Sequence, residues 1–318
     1  MAPTDRLGAE VPADSGGGSV GDPGGGAIDI PAELAGRESL GPEWAAWLGG
    51  LPGIARALLE EWRLTPTGRS MHGFVSLALP VVTESGHDAV LKIGVPSPEA
   101  EHEALALQHW AGNGAVRLLR ADPHRFALLL ERLHTRDLQE VWDLEACAIV
   151  AGLYRRLHVP APPQMRRLSA VAERWSREFA AASTSGPVPR RLLQQAAGLA
   201  RALTADASTD GTLIHTDLHY GNVLAADREP WLVIDPKPLS GDPHFELTPM
   251  LWNRAEDYAG DFRAAARRRF HTLVDDAELD EARARAWAIV RLVDLALDAE
   301  DDRDRATLCV SLIKAMQD

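Results

Sequence analysis

Cysteine is nearly absent: of 318 residues only Cys147 and Cys309 carry thiols, each inside an apolar helical pattern and far apart, so a disulfide framework is excluded and a reducing cytoplasm fits. No apolar run approaches the length of a membrane span, and the first residues lack the basic start and continuous apolar core of a secretory signal. Positive charge is also short, with 33 Lys and Arg against 46 Asp and Glu, a net charge of -13 and only 6% aromatics. Without a basic stripe or interleaved aromatics, neither nucleic acid nor an anionic membrane is an expected partner, and a cationic small molecule becomes the more natural one. What the chain does have is apolar bulk: 46% hydrophobic content at this length buries a large core, in one two-lobed domain or two modest ones. Residues 1–28 are the exception, because Ser15-Gly16-Gly17-Gly18-Ser19 and Gly24-Gly25-Gly26 leave little to bury and read as a flexible tail.

The rest is organised around Leu213 to Pro243, where two acids, Asp217 and Asp235, each end a short apolar run and Asn222 follows the first acid by five residues. Val223-Leu224 and Trp231 to Ile234 read as strands joined by the polar turn Ala225 to Pro230, a hairpin that folds Asp235 back beside Asp217. Such a set suits phosphoryl transfer, which needs a carboxylate to orient and accept the proton of the attacking hydroxyl and oxygen ligands for the magnesium on the nucleotide phosphates. Asp217 takes the first task, and Asn222 and Asp235 the second. His215 and His219 have a spacing that holds zinc on a helix, but Asp217, Gly221 and Asn222 make this a loop and no third ligand follows. His215 is expected to pack under the loop and tie it to the Asp235 segment; His219 approaches phosphate or faces solvent.

His215-Thr216-Asp217-Leu218-His219-Tyr220-Gly221-Asn222, followed by Ile234-Asp235-Pro236, resembles the catalytic and metal-binding segments of the aminoglycoside phosphotransferases, relatives of the protein kinases. Trp231 to Lys237, Gly241-Asp242-Pro243 and Leu251-Trp252-Asn253-Arg254 are most similar to the streptomycin 6-kinase and hydroxyurea kinase branch. One position departs: glycine is usual where Thr216 stands, and threonine can hold this loop if its backbone angles are ordinary. The resemblance implies an α+β, protein-kinase-like two-lobed fold with an antiparallel sheet N-lobe and a mostly helical C-lobe. It further implies ATP and Mg2+ as cofactors and a hydroxyl of a streptomycin-type aminoglycoside, or of another small substrate such as hydroxyurea, as acceptor. A nucleotide-binding pseudokinase is the alternative from a different class.

Within that frame residues 29–133 are the nucleotide-binding lobe and 134–318 the catalytic and substrate lobe. Two short helices between Ile30 and Trp62 precede five strands, at Trp62 to Thr65, Phe74 to Thr83, Ala89 to Ile93, Val116 to Leu119 and Phe126 to Leu130. The loop Thr67 to Gly73 falls where a kinase-like lobe covers the phosphates, but without a GxGxxG pattern. Lys92 ends a strand among apolar neighbours, the place of the phosphate-binding lysine that a helix glutamate fixes. With Ser97 as cap and Pro98 as first residue, helical phase puts Glu103 in the apolar stripe of Ala100, Ala104, Leu107 and Trp110, while Glu101 falls outside it and Glu99 in the first turn. Glu131 and Leu133 resemble the hinge whose backbone meets the nucleotide base. Lys237 is left between a phosphate contact and a solvated loop charge, and Asp242 and Glu246 are expected mainly to brace the catalytic loop. Further helices are expected at Leu144 to Val159, Met165 to Ala181, Arg190 to Ala205, Arg254 to Leu273, Leu279 to Leu297 and Arg305 to Met316. For a guanidinium-bearing substrate the sequence offers Glu246, Glu256, Asp257 and Asp261, with Trp252 and Asn253 supplying a flat surface and an amide.

Overall fold

A computed structural model describes residues 28–182, 186–258, 260–299 and 302–317. The proposed tail falls outside these residues except for its last, Ile28, which is half-buried against the core. The chain divides into a sheet unit ending at Arg132 and a helical unit from Leu133 onward that also takes in Asn113–Ala115.

In the sheet unit, α1 (Ala32–Ala35) leads into α2 (Pro42–Glu61). Two helices occupy this stretch as expected, but the second is long rather than short: Gly49, Gly50, Pro52 and Gly53 do not break α2, because Trp47, Leu51, Ala55 and Leu58 form one buried stripe along it. The sheet has six strands rather than five: β1 (Leu64–Pro66), β2 (Met71–His72), β3 (Ser76–Thr83), β4 (Asp88–Gly94), β5 (Leu118–Asp122) and β6 (Ala127–Glu131), ordered β1-β3-β4-β6-β5 with β2 on β3. The extra strand comes from the Thr67 to Gly73 loop, where Met71 and His72 pair with Ala78 and Leu77. Ala89, Leu91 and Ile93 of β4 join the core that α2 covers, so the pleat turns Lys92 to the opposite face. The next helix, α3 (Glu103–Trp110), starts later than its sequence stripe predicts; Ser97 Oγ accepts from Ala100 N at 3.2 Å and caps a run of turns instead.

The helical unit contains α4 (Asp143–Leu157), α5 (Leu168–Ala181), α6 (Arg190–Thr204), α7 (Thr248–Trp252), α8 (Phe262–Asp276), α9 (Glu281–Asp298) and α10 (Arg303–Gln317). The helix expected from Arg254 begins only at Phe262, because Arg254 has φ 54° and Asp261 caps the helix by accepting from Ala264 N at 3.0 Å. Two small sheets hold the central stretch. β7 (Val159–Pro160), β8 (Thr212–Ile214) and β11 (Leu239–Gly241) form one in the order β11-β8-β7, and β9 (Val223–Ala225) with β10 (Trp231–Val233) forms the antiparallel hairpin. A Cβ on Gly241 would stand 2.3 Å from Ile214 Cδ1, so a larger residue in β11 would force the buried Ile214 side chain of β8 to move. Among the described residues no helix is long and apolar enough to cross a membrane.

Candidate active site

The hairpin register pairs Val223 with Val233, and Ile234 N donates to Asn222 O at 2.9 Å, so the segment carrying Asp235 returns along the segment carrying Asn222. His215 ties the two together from below. It is fully buried, its Nε2 donates to Ile234 O at 2.9 Å, and its Nδ1 accepts from Asp217 N at 3.3 Å. Burial lowers its pKa, which keeps the ring neutral, and both ring nitrogens are spent on backbone. His219 is also held, its Nδ1 accepting from Gly221 N at 3.2 Å to cap the turn Tyr220–Asn222.

Asp217 is buried, and burial alone would push its carboxyl up; the Lys237 ammonium first, then His219 and the hydrogen bond from Lys237 Nζ, outweigh this and hold it below the usual carboxylate range. Lys237 is therefore a partner of Asp217, a role that neither alternative from sequence included. The amide nitrogen of Asn222 donates to Asp217 O at 2.8 Å, so the side chain is fastened to the loop through its nitrogen. Asp235, half-buried, sits at φ 55°, in the left-handed region that aspartate tolerates better than most residues.

Thr216 is a correction. Its φ is 64°, so the loop is not held with ordinary angles, and a β-branched residue in this region is strained. Neighbours compensate: Thr216 N donates to Glu246 Oε1 at 2.7 Å, its hydroxyl donates to Lys237 O at 2.6 Å, and its carbonyl accepts from Arg291. Glu246 is thus a brace at 0% exposure, not a substrate contact. Burial would raise its pKa, but His158 and the Thr216 N–H keep it low. Asp242 braces from the other side, accepting from Trp287 Nε1 at 2.6 Å and Arg283 Nε at 2.5 Å, which anchors the end of β11 to α9.

Of the residues offered for the substrate, Trp252 is 3% exposed, its face covered by Arg291 at 4.8 Å, and buried Asn253 donates its amide to Pro249 O at 3.0 Å. Trp252 is a core residue because α7 is buried all round, and Asn253 spends its amide on the end of that helix, so neither supplies a flat surface or an amide to a ligand. Asp257 pairs with Arg254 at 2.6 Å and lies 3.7 Å from Arg269, while Asp261 caps α8. Glu256 is left, exposed on the surface.

In the sheet unit Lys92 Nζ and Glu103 Oε1 are 2.6 Å apart, at 11% and 8% side-chain exposure. Breaking a pair this buried costs about 3–5 kcal/mol because one charge stays behind. Alanine at either position is therefore expected to give nearly the whole loss in kcat/KM, and the double variant little more. Additive losses would contradict a functional pair. The Glu131 N–H donates to Arg117 O at 3.0 Å and its carboxylate accepts from Arg117 N at 2.7 Å, so this N–H is already used within the sheet. Sequence reasoning missed Arg37, which lies 4.0 Å over the Phe74 ring and donates to the carbonyls of Gly73 (2.9 Å) and Phe74, fastening the end of the Thr67 to Gly73 loop. Cys147, fully buried, has its thiol pushed up to about 12 by burial and takes no part in chemistry.

Residues 61–302 match the family described as aminoglycoside/hydroxyurea antibiotic resistance kinase. Streptomycin 6-kinase of Streptomyces glaucescens is 43% identical over 284 residues, 86% of this chain and 92% of that one. Hydroxyurea phosphotransferase of Kitasatospora aureofaciens is 42% identical over 301 residues, 89% of this chain and 83% of that one. Among solved structures, aminoglycoside phosphotransferase APH(4)-Ia in complex with ADP and hygromycin B superimposes with a TM-score of 0.55 at 15% identity, covering 82% of this chain and 97% of that one, a likeness of fold.

Proposed function

The chain belongs to the aminoglycoside/hydroxyurea antibiotic resistance kinase family, and from that premise we propose that it transfers the γ-phosphoryl group of ATP to a hydroxyl of a streptomycin-type aminoglycoside, in the cytoplasm where ATP is supplied. The observation that carries this reading is the hairpin, which brings the segment carrying Asp235 back along the one that carries a buried, ionised Asp217 and Asn222. Asp217 orients the acceptor hydroxyl and takes its proton as the oxygen attacks phosphorus. Lys92, fixed by Glu103, binds the α- and β-phosphates, and the Leu133 backbone with the Glu131 carbonyl meets the base.

The side chains present fit magnesium. Among the described residues no group of three or more His, Cys, Asp and Glu is arranged to hold a metal alone. Mg2+ needs no such cage, since one or two hard oxygen ligands, waters and substrate phosphates complete its shell. Asp235 and the Asn222 side-chain oxygen would supply those ligands, and the ion would neutralise charge on the transferring phosphates.

Charge favours the cationic acceptor. With a net charge of -13 and Glu256 exposed beyond α7, the chain suits the guanidinium groups of streptomycin better than neutral hydroxyurea. Hydroxyurea remains the second reading because one relative at 42% identity phosphorylates it by name. ADP release with ATP and Mg2+ is expected to depend on streptomycin, with a KM that rises with ionic strength as exposed charge pairing is screened. Turnover of hydroxyurea alongside indifference to streptomycin would reverse the order of the two readings.

A further inference from the structure

Thr216 carries strain directly before the catalytic aspartate, and its peptide groups are gripped from both sides, the N–H by Glu246 at 2.7 Å and the carbonyl by Arg291. Arg291 is 1% exposed on α9 and is sandwiched between the rings of Phe245 (4.5 Å) and Trp252 (4.8 Å). Its Nε and Nη1 make no hydrogen bond among the described residues. Burial pushes the guanidinium down to about 10, against the pull of Asp217 and Glu246. A leucine or methionine would fill this space without taking a cation out of water, and a buried donor left unsatisfied calls for an explanation other than packing. The hydrogen bond that Arg291 does make ends on the carbonyl of the strained residue.

We propose that Arg291 is a positioning residue for phosphoryl transfer: its grip on the Thr216 carbonyl holds Thr216 in the left-handed conformation and thereby fixes the direction in which the Asp217 carboxylate leaves the loop. The inference rests on Asp217 as the proton acceptor. It has a specific consequence, because glycine reaches positive φ without steric cost. Arg291 is needed while position 216 is a threonine and becomes largely dispensable once the strain is gone.

A double-mutant cycle of Arg291→Lys and Thr216→Gly tests this, read both as turnover and as the midpoint of denaturant unfolding. Lysine keeps the charge and most of the stem but loses the planar fork. Arg291→Lys alone is expected to lower kcat by about tenfold or more with KM for ATP unchanged within about threefold, and the loss is expected to shrink below about threefold when Thr216→Gly is also present. The unfolding midpoint is expected to show coupling of the same sign. Equal losses in both backgrounds, or an effect on KM alone, would overturn the assignment. If Arg291→Lys yields no folded protein, recovery of folding in the Thr216→Gly background supports the clamp, and failure in both overturns it. Should the wild-type protein ignore streptomycin, the substrate reading fails while the unfolding cycle still decides the role of Arg291.

Discussion

Asparagine in place of Asp217 is expected to lower turnover by roughly 10²–10⁴ while leaving fold and nucleotide affinity in place. The amide keeps the shape of the carboxylate, so packing is kept, while loss of the buried pair with Lys237 is expected to lower stability without unfolding the protein. What disappears is the negative charge that Lys237 holds below the usual carboxylate range, and with it the acceptor for the hydroxyl proton. Asn222 bonds to the backbone carbonyl of residue 217, not to its side chain, so the hairpin does not depend on the charge. A variant that keeps more than about a tenth of wild-type turnover would remove Asp217 from the chemistry.

Asp235→Ala is expected to act earlier, on binding. If its carboxylate and the Asn222 oxygen hold the metal, the variant loses the magnesium dependence of nucleotide affinity and does not merely turn over more slowly. Calorimetry with ATP, with and without Mg2+, reads this directly. Alanine also meets the φ of 55° at this position less well than aspartate, so circular dichroism must first show a native fold. An unchanged difference between titrations with and without metal would rule Asp235 out as a ligand.

Residues whose role follows from local phase or spacing were legible in the sequence. Glu103 stands in the apolar stripe one turn before Leu107, where a carboxylate makes sense only with a partner, and it meets Lys92 at 2.6 Å. The polar turn between two short apolar runs encodes the β9–β10 hairpin, and the helix pattern after residue 137 encodes most of the helical unit. What failed depended on tertiary context. Nothing local distinguishes Lys237 on Asp217 from Lys237 in solvent. Trp252 and Asn253 were offered because they lie among Glu246, Glu256, Asp257 and Asp261, yet α7 is wholly buried and Asn253 at its end is buried with it. The start of α3 was misplaced because Ala100 continues the stripe of Ala104, Leu107 and Trp110 back into a run of turns. Arg291 carried a signal that went unused: like Glu103 it is a charge inside an apolar stripe, four residues after Trp287.

Incubating the protein with γ-labelled ATP, Mg2+ and streptomycin, and separating the products by mass, tests the central claim most directly. The expected product is streptomycin carrying one added phosphoryl group, formed in step with ADP and absent from the Asp217→Asn reaction. Label that leaves ATP only as inorganic phosphate, or unaltered streptomycin beside ADP released at the same rate without it, would contradict the account.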